Sequence, residues 1–501
     1  MSSIKQLAGQ TVWYGLSNIA ARFLGYLQMP IITYLLNSPA GQVSFGEYST
    51  LYAAIPFANV IFTYGMETAY FRFSRDMDKD KLFQTSFFSL LVSTLVLSLL
   101  CWLFRQPIAN FFQIDQHPEY ITWVIGIIAL DTLSAIPFAR LRQENRPRKY
   151  AFVKVAGIVL NLLLVIFFIG FCPGYVQKHP QSALAGWYHE FTSAGMLILA
   201  NLAQSALTFL LLFREWRSFN FRLNPAIWKK VLGYALPFVI IGLAGMVNET
   251  IDRIMLLHLY PGTEAEAKMA TGIYSANYKL AIIITLFIQA FRMAAEPFFF
   301  SKSKDKDAPH TYARVMKWFV ITLCIAFLGT ALFLDVWKYM EGADYRSGIG
   351  VVPILLYANL FLGIYYNLSV WYKVSDKLKY GTWITVFGAA LTIVVNWIFM
   401  PVYGMYAGAW ATCLCYFSMM VLSWFYGQRH YPVPYNLKRI LGYLAAITFL
   451  FFVETGIYYA TSSFMLRLGS GALLLLCFLG LVFLWERKEL KGFPVIGRWV
   501  R

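Results

Sequence analysis

Two long apolar segments between residues 228 and 300, joined by the short acidic stretch PGTEAEAK, hold most of the ionisable side chains that lie deep in apolar surroundings. The first carries Asn248, Glu249, Asp252 and Arg253, and the second Lys279, Gln289, Arg292 and Glu296. Charge at such depth costs a few kcal/mol or more per group, so it lines a bundle interior or a wet cavity. Each group is then either half of a structural ion pair or a contact for a polar ligand. Glu249 and Arg253 are four apart on one helix face and can pair, while Asn248 and Asp252 form a second polar face. On a straight helical wheel Tyr274, Tyr278, Thr285, Gln289 and Glu296 fall within roughly 60° of Arg292. Lys279 falls about 140° away and can snorkel to the interface.

These segments must be positioned by membrane helices. Of 501 residues 59% are hydrophobic and only 13% charged, against roughly 25% charged in a soluble domain. The expected fold is an all-α, polytopic membrane protein. Fourteen apolar segments are each long enough to span, given that a span needs about 20 residues. Most of the 42 Lys and Arg residues fall in connections such as RFSRDMDKDK, RLRQENRPRK and SKSKDKD, all on one side of this map. That bias places both termini in the cytoplasm. It also explains the net charge of +17 without nucleic acid. The six cysteines lie in or beside apolar segments without metal-ligand spacing, which implies no disulfide and no metal, and nothing calls for a cofactor. Pro30, Pro56, Pro137, Pro237 and Pro353 are expected kinks.

A repeat runs through the chain. GEYS at 46–49 returns as GIYS at 272–275, FRFS at 71–74 as FFFS at 298–301, and KYA at 149–151 as KYG at 379–381. The near-constant offset holds six spans, an even number, so both copies share one orientation about an axis along the membrane normal. The expected organisation is a six-helix bundle at 1–220, its repeat at 221–436, and two extra helices with a tail at 437–501. The first span carries its own polar stripe of Thr11, Gly15, Asn18, Arg22 and Thr33, with Arg22 near mid-span.

The chain resembles the polysaccharide flippases of the multidrug/oligosaccharidyl-lipid/polysaccharide superfamily. The resemblance rests on YGLSNIAARFLGYLQMPIITYLL, FGEYSTLYAAIPFANVIFTYGMETAYFRF, PFARLRQENRPRKYAFVK, ETIDRIML, GIYSANYKLA and AFRMAAEPF. It implies two bundles around a central cavity in a cell membrane, with spans 1, 2, 7 and 8 lining it. It also implies a lipid-linked oligosaccharide as cargo, with glycosyltransferases and a polymerase of the same pathway as partners. By position it assigns Arg22 and Arg292 to the cargo diphosphate, and Arg253 and Lys279 more weakly. Span 2 departs from the pattern, offering Glu67 but no arginine inside the span. Arginine suits phosphate through its fork of donors and fixed charge. By helical rise, Arg253, Arg22 and Arg292 form a ladder of charge from about 12 Å outside the centre to about 10 Å inside it. Asn18 and Gln289 extend the polar stripes, and Tyr274 and Tyr278 are placed to stack on sugar rings. Glu249, Asp252, Glu454 and Asn396 are candidate sites for a coupling proton or sodium ion.

Three other readings stay open. A cation-coupled multidrug exporter of the same superfamily needs an acidic cavity, whereas Arg22 and Arg292 make this one basic or balanced. A peptidoglycan-precursor flippase of the same superfamily is the second. A membrane polymerase or ligase needs a sizeable outer loop with acid, base or phosphate-binding groups. The outer loops here are short, and His117, His179 and His189 are scattered, so the expectation is a transporter and not an enzyme.

Overall fold

A computed structural model describes residues 23–490 except Arg75, Ser218, Ser303, Lys304 and Lys306, together with the backbone but not the side chains of Ala294, Glu296, Pro297, Phe300 and Ser301. The described chain is helical, without strands. Its long helices are α1 (Phe23–Leu35) and α2 (Pro39–Thr63, extended by Met66–Phe73). There follow α3 (Lys79–Leu103), α4 (Pro118–Gln143), α5 (Pro147–Lys178), α6 (Ser193–Leu211) and α7 (Pro225–Leu259). The second half holds α8 (Glu264–Ala281 with Ile283–Lys302), α9 (Ala308–Ala331), α10 (Val351–Val374), α11 (Leu378–Tyr403), α12 (Met405–His430), α13 (Leu437–Ala460) and α14 (Phe464–Leu490). Eleven of these are long and apolar enough to cross a membrane, or twelve with α8 taken as one bent span. The described part of α1 is short, and α2 is long but polar. Gln42, Ser49 and Thr50 of α2 are buried within the protein, which removes the need for an apolar surface there.

Helix starts follow local chemistry. Ser38 caps α2 by accepting from the Gly41 N–H, with Pro39 in the first turn. Asp78 caps α3 through the Lys81 N–H, and Asn224 caps α7 through those of Ala226 and Ile227. These side chains satisfy amides that the helix leaves without partners.

The chain forms two compact units, and their boundaries do not follow the repeat limits 1–220, 221–436 and 437–501. The first comprises residues up to 276, with 341–347 and 385–412; the second comprises 277–340, 348–384 and 413 onward. The core of the first unit gathers Ile32 and Leu36 of α1, Phe45 and Leu51 of α2, Ile273 of α8 and Tyr345. Its tightest point is the crossing of α2 with α8. A Cβ on Gly272 would stand 2.5 Å from the Gln42 carbonyl oxygen and 3.4 Å from Gly46 Cα, and a Cβ on Gly46 would fall on the Lys268 carbonyl. Gly46 and Gly272 open the GEYS and GIYS motifs, so the first residues of these two motifs meet at the crossing.

The second unit has cores around Tyr365, Cys415 and Tyr416 and around Phe299 and Tyr312. Lys317 of α9 pairs with Glu486 and, at 2.7 Å, with Glu489, while the Tyr443 hydroxyl donates to Glu486 at 2.8 Å. These contacts hold α13 and α14 to α9.

One marked bend occurs where no proline stands. The two parts of α8 meet at 47° around Ile282, while Pro56 and Pro137 lie inside continuous helices. At the bend the Ile282 N–H bonds three residues back to Lys279, and the Thr285 N–H bonds back to Ile282. Asn359 of α10 donates to the Ala281 carbonyl at 3.0 Å. A neighbouring side chain thus satisfies an acceptor where the helical ladder tightens, which sustains a kink without proline. The straight wheel used for this helix does not hold: Tyr274 and Tyr278 do not continue the line of Gln289 and Arg292.

Because a methyl group has no room at the crossing, Gly46→Ala and Gly272→Ala should each destabilise the purified protein by about 1–3 kcal/mol, measured as a lower Tm in detergent. Gly245→Ala, where a Cβ meets nothing within 4 Å, should leave Tm unchanged.

Candidate functional site

The polar groups expected on α7 and α8 gather in two places. In the first unit Asp252 of α7 is buried and accepts from the Tyr274 hydroxyl at 2.6 Å, from Arg253 Nη1 at 3.2 Å and from the Arg253 N–H at 2.9 Å. Arg253 also donates to the Glu249 carbonyl at 3.1 Å and lies 5.9 Å from the centre of the Tyr274 ring. Its carboxylate partner is therefore Asp252 and not Glu249, whose side chain is exposed. An exposed carboxylate in the middle of a membrane helix is tolerable where it faces water. Asn248 donates to the Thr385 carbonyl of α11 at 3.1 Å. Asn396, further along α11, is fully buried, and neither its amide oxygen nor its nitrogen has a partner among the described residues.

Tyr274 and Tyr278, expected to stack on sugar rings, are both buried. Tyr274 packs where a Cβ on Gly408 would meet its hydroxyl oxygen at 3.5 Å and Asp252 Cβ at 3.6 Å. In this conformation its hydroxyl serves Asp252, and its face is not open to a cargo.

In the second unit Arg292 lies beyond the bend of α8. It is half-buried, with its guanidinium 4.2 Å from the centre of the Tyr366 ring on α10. That distance is a cation–π contact, which keeps the guanidinium charge. Gln289 and Lys279 are half-buried. Arg22 and Asn18 lie outside the described residues, as does the side chain of Glu296.

Four further residues were not legible in the sequence. PGTEAEAK is not a simple connection, because α8 begins at Glu264 and Lys268 is buried in its second turn. Lys268 donates to Glu47 of α2 at 3.1 Å and to the Gln113 carbonyl at 2.6 Å, in the connection between α3 and α4, and pairs with Glu264 at 2.8 Å. Gln42 stands at the repeat position of Lys268, with the offset of Gly46 and Gly272. It donates to the Asp344 carbonyl at 2.8 Å, in the connection between α9 and α10. Equivalent residues on α2 and α8 thus tether the connection between the third and fourth helices of the opposite repeat. These tethers, with Glu341 beneath one of them, lie on the face with few Lys and Arg, and the repeat offset applied to Gln42 was the signal that could have found Lys268.

Other polar groups of the spans have structural partners. Glu67 pairs with Arg142 of α4. Asp131 accepts from Ser205 at 2.8 Å, and Lys154 sits over the rings of Tyr150 and Phe138. His117 bonds Glu119 at 2.7 Å, and Glu454 accepts from Ser470 at 2.9 Å. Among the described residues no group of His, Cys, Asp and Glu side chains could hold a metal ion.

Eleven or twelve helices long and apolar enough to span, with charged side chains buried among them, define an all-α multi-pass membrane protein. The chain belongs to the polysaccharide biosynthesis protein family, whose model matches residues 7–303. It is similar in structure to the lipid II flippase MurJ in an inward closed conformation, at TM-score 0.69 and 15% identity, over 95% of this chain and 99% of that one. An inward-facing multidrug resistance MATE family transporter of the MOP superfamily superposes at TM-score 0.63 and 12% identity, over 85% and 96%. An outward-facing MATE family transporter gives 0.59 and 14%, over 87% and 96%. No curated protein matches the chain by sequence. At such identities these likenesses speak to the fold, which is that of the multidrug/oligosaccharidyl-lipid/polysaccharide superfamily.

Removing one partner of a buried ion pair strands the other. Lys268→Met should therefore cost about 3–5 kcal/mol, and adding Glu47→Gln should recover a large part of the loss. The Tm of both variants in detergent checks this, and a double variant no more stable than Lys268→Met would refute the pairing.

Proposed function

We propose that the protein flips polyprenyl-diphosphate-linked oligosaccharide units from the cytoplasmic to the outer leaflet of the cell membrane, for surface polysaccharide synthesis. In this reading the halves 1–220 and 221–436 alternate access to a shared path, and 437–501 adds two helices. Both termini and the Lys- and Arg-rich connections face the cytoplasm, in keeping with the positive-inside bias. The observation that carries the reading is Arg292, a half-buried guanidinium inside a membrane helix and stacked on Tyr366, in a chain of the polysaccharide biosynthesis family. A diphosphate cannot cross hydrocarbon unaided, whereas the polyprenyl tail can stay in lipid, so the protein needs only a polar route for the head.

Arg22 and Arg292 are assigned to the diphosphate, with Gln289, Asn18 and Lys279 along the route. Arg253 is assigned a structural role with Asp252, supported by their 3.2 Å contact. A coupling proton or sodium ion is assigned to the buried Asp252 and Asn396, supported by the unpartnered amide of Asn396. No enzymatic step is required.

The test is complementation of surface polysaccharide in a strain lacking its own flippase. Losing one charged hydrogen-bonding partner is worth about 1.5–3 kcal/mol, so Arg22→Ala and Arg292→Ala should each lower output about tenfold or more at normal protein levels. Arg292→Lys should recover part and Arg292→Glu none. Under an imposed proton or sodium gradient, Asp252→Asn should lose gradient-driven transport. Full output from both alanine variants would refute the arginine assignment, and rescue of a peptidoglycan-precursor flippase strain instead would reassign the cargo.

A further inference from the structure

The segment 341–347, between α9 and α10, is strapped onto the ends of α1 and α2 in the first unit. The Gly342 N–H donates to Thr33 Oγ1 at 3.2 Å, the Asp344 N–H to Asn37 Oδ1 at 3.0 Å, and the Tyr345 hydroxyl to the Leu36 carbonyl at 3.2 Å. Gln42 of α2 holds the Asp344 carbonyl. Gly342 lies so close to α1 that a Cβ there would fall on the Thr33 carbonyl oxygen. Under this strap sits Glu341, fully buried, with neither carboxylate oxygen bonded to any partner among the described residues.

A buried carboxylate without donors is a costly arrangement, and a carboxylic acid in the same place costs far less. The charged and titratable groups around it are few. Arg346 lowers the cost through space, yet its Nε and Nη2 donate to the Glu341 backbone carbonyl, and Nη2 also reaches the Tyr34 hydroxyl at 3.4 Å. Among the described residues Tyr26 and Tyr34 of α1 and Asp344 and Tyr345 of the strap are the others, and none supplies a hydrogen bond to the carboxyl. Burial outweighs Arg346 and pushes the Glu341 carboxyl up from its ordinary value of 4.5 to about 8.

We propose that Glu341 is a proton-binding site that latches the strap 341–347 onto α1 and α2, so that the strap docks with a proton on the carboxyl and releases when the carboxylate forms. The latch is independent of which cargo is carried. The sign follows from linkage. A released strap exposes the carboxyl to water and returns it to its ordinary value, so docking takes up a proton between the two values. The docked state is fully favoured below the ordinary value and weakens as pH rises toward about 8. Beyond that the loss levels off. At the pH of most surroundings each docking of the strap is then a proton-uptake step, available to set when the charge-poor face closes.

The test is hydrogen–deuterium exchange of the 341–347 amides in the full-length protein in nanodiscs, expressed as protection factors between about pH 5 and about pH 9. Protection in the natural sequence should fall by a factor on the order of a hundred or more across that range. Glu341→Gln, which mimics the protonated acid, should keep protection high and flat. If the glutamine variant does not fold, Glu341→Met tests the same point without a polar group to strand. The infrared carbonyl band of a protonated carboxylic acid should also disappear at high pH in the natural sequence and be missing in either variant. Protection that does not change with pH, or that falls equally in a variant without the carboxyl, would overturn the proposal.

Discussion

The close approach of α2 to α8 sets the rest of the first unit. Only hydrogen at Gly46 and Gly272 lets the two backbones come near enough for a Cβ on one to meet Cα of the other at 3.4 Å. The same approach brings Gln42 and Lys268 within reach of carbonyls in the connections of opposite repeats. A bulkier pair would separate the helices and leave Glu47 and Lys268 as isolated buried charges. Packing at two glycines and hydrogen bonding at two tethers are therefore one constraint, applied twice because the sequence is repeated.

Charge within the spans follows a common economy. Asp252 is neutralised by Arg253 and bonded by Tyr274, and Glu67 by Arg142. Such pairs hold helices in place. Arg292 rests in addition on an aromatic face, that of Tyr366. Glu341 and Asn396 are polar and buried without hydrogen-bond partners among the described residues; the latch proton is assigned to Glu341, and the coupling ion to Asn396 together with Asp252.

Much of this was legible in the sequence. The helical, multi-span character of the chain follows from apolar lengths, and the glycines that open GEYS and GIYS, singled out by their motifs, meet at the crossing of α2 and α8. The chemistry of the site was less legible, for physical reasons. The bend of α8 depends on Asn359 reaching Ala281 from another helix, and IITL contains no breaker to announce it, so the wheel joined Tyr274 to Arg292 when they face different surroundings. Spacing offered Glu249 as a partner for Arg253, and the contact formed is with Asp252, which also accepts from Tyr274. Lys268 was hidden by the acidic residues beside it. A lysine behind Glu264 and Glu266 reads as a solvated turn unless the buried Glu47, more than 200 positions away, is known to await it.

Alternating access requires that the tethers on the charge-poor face break and reform in each cycle. The direct test is to replace Gln42 and Asp344 with cysteine, in a background whose six natural cysteines are removed, and join them with a short bifunctional thiol reagent cleavable by reductant. Flipping of a fluorescent lipid-linked diphosphate sugar is then followed in proteoliposomes. Crosslinked protein should stall, and reductant should restore the rate. Flipping at full rate with the crosslink in place would contradict alternating access through this face.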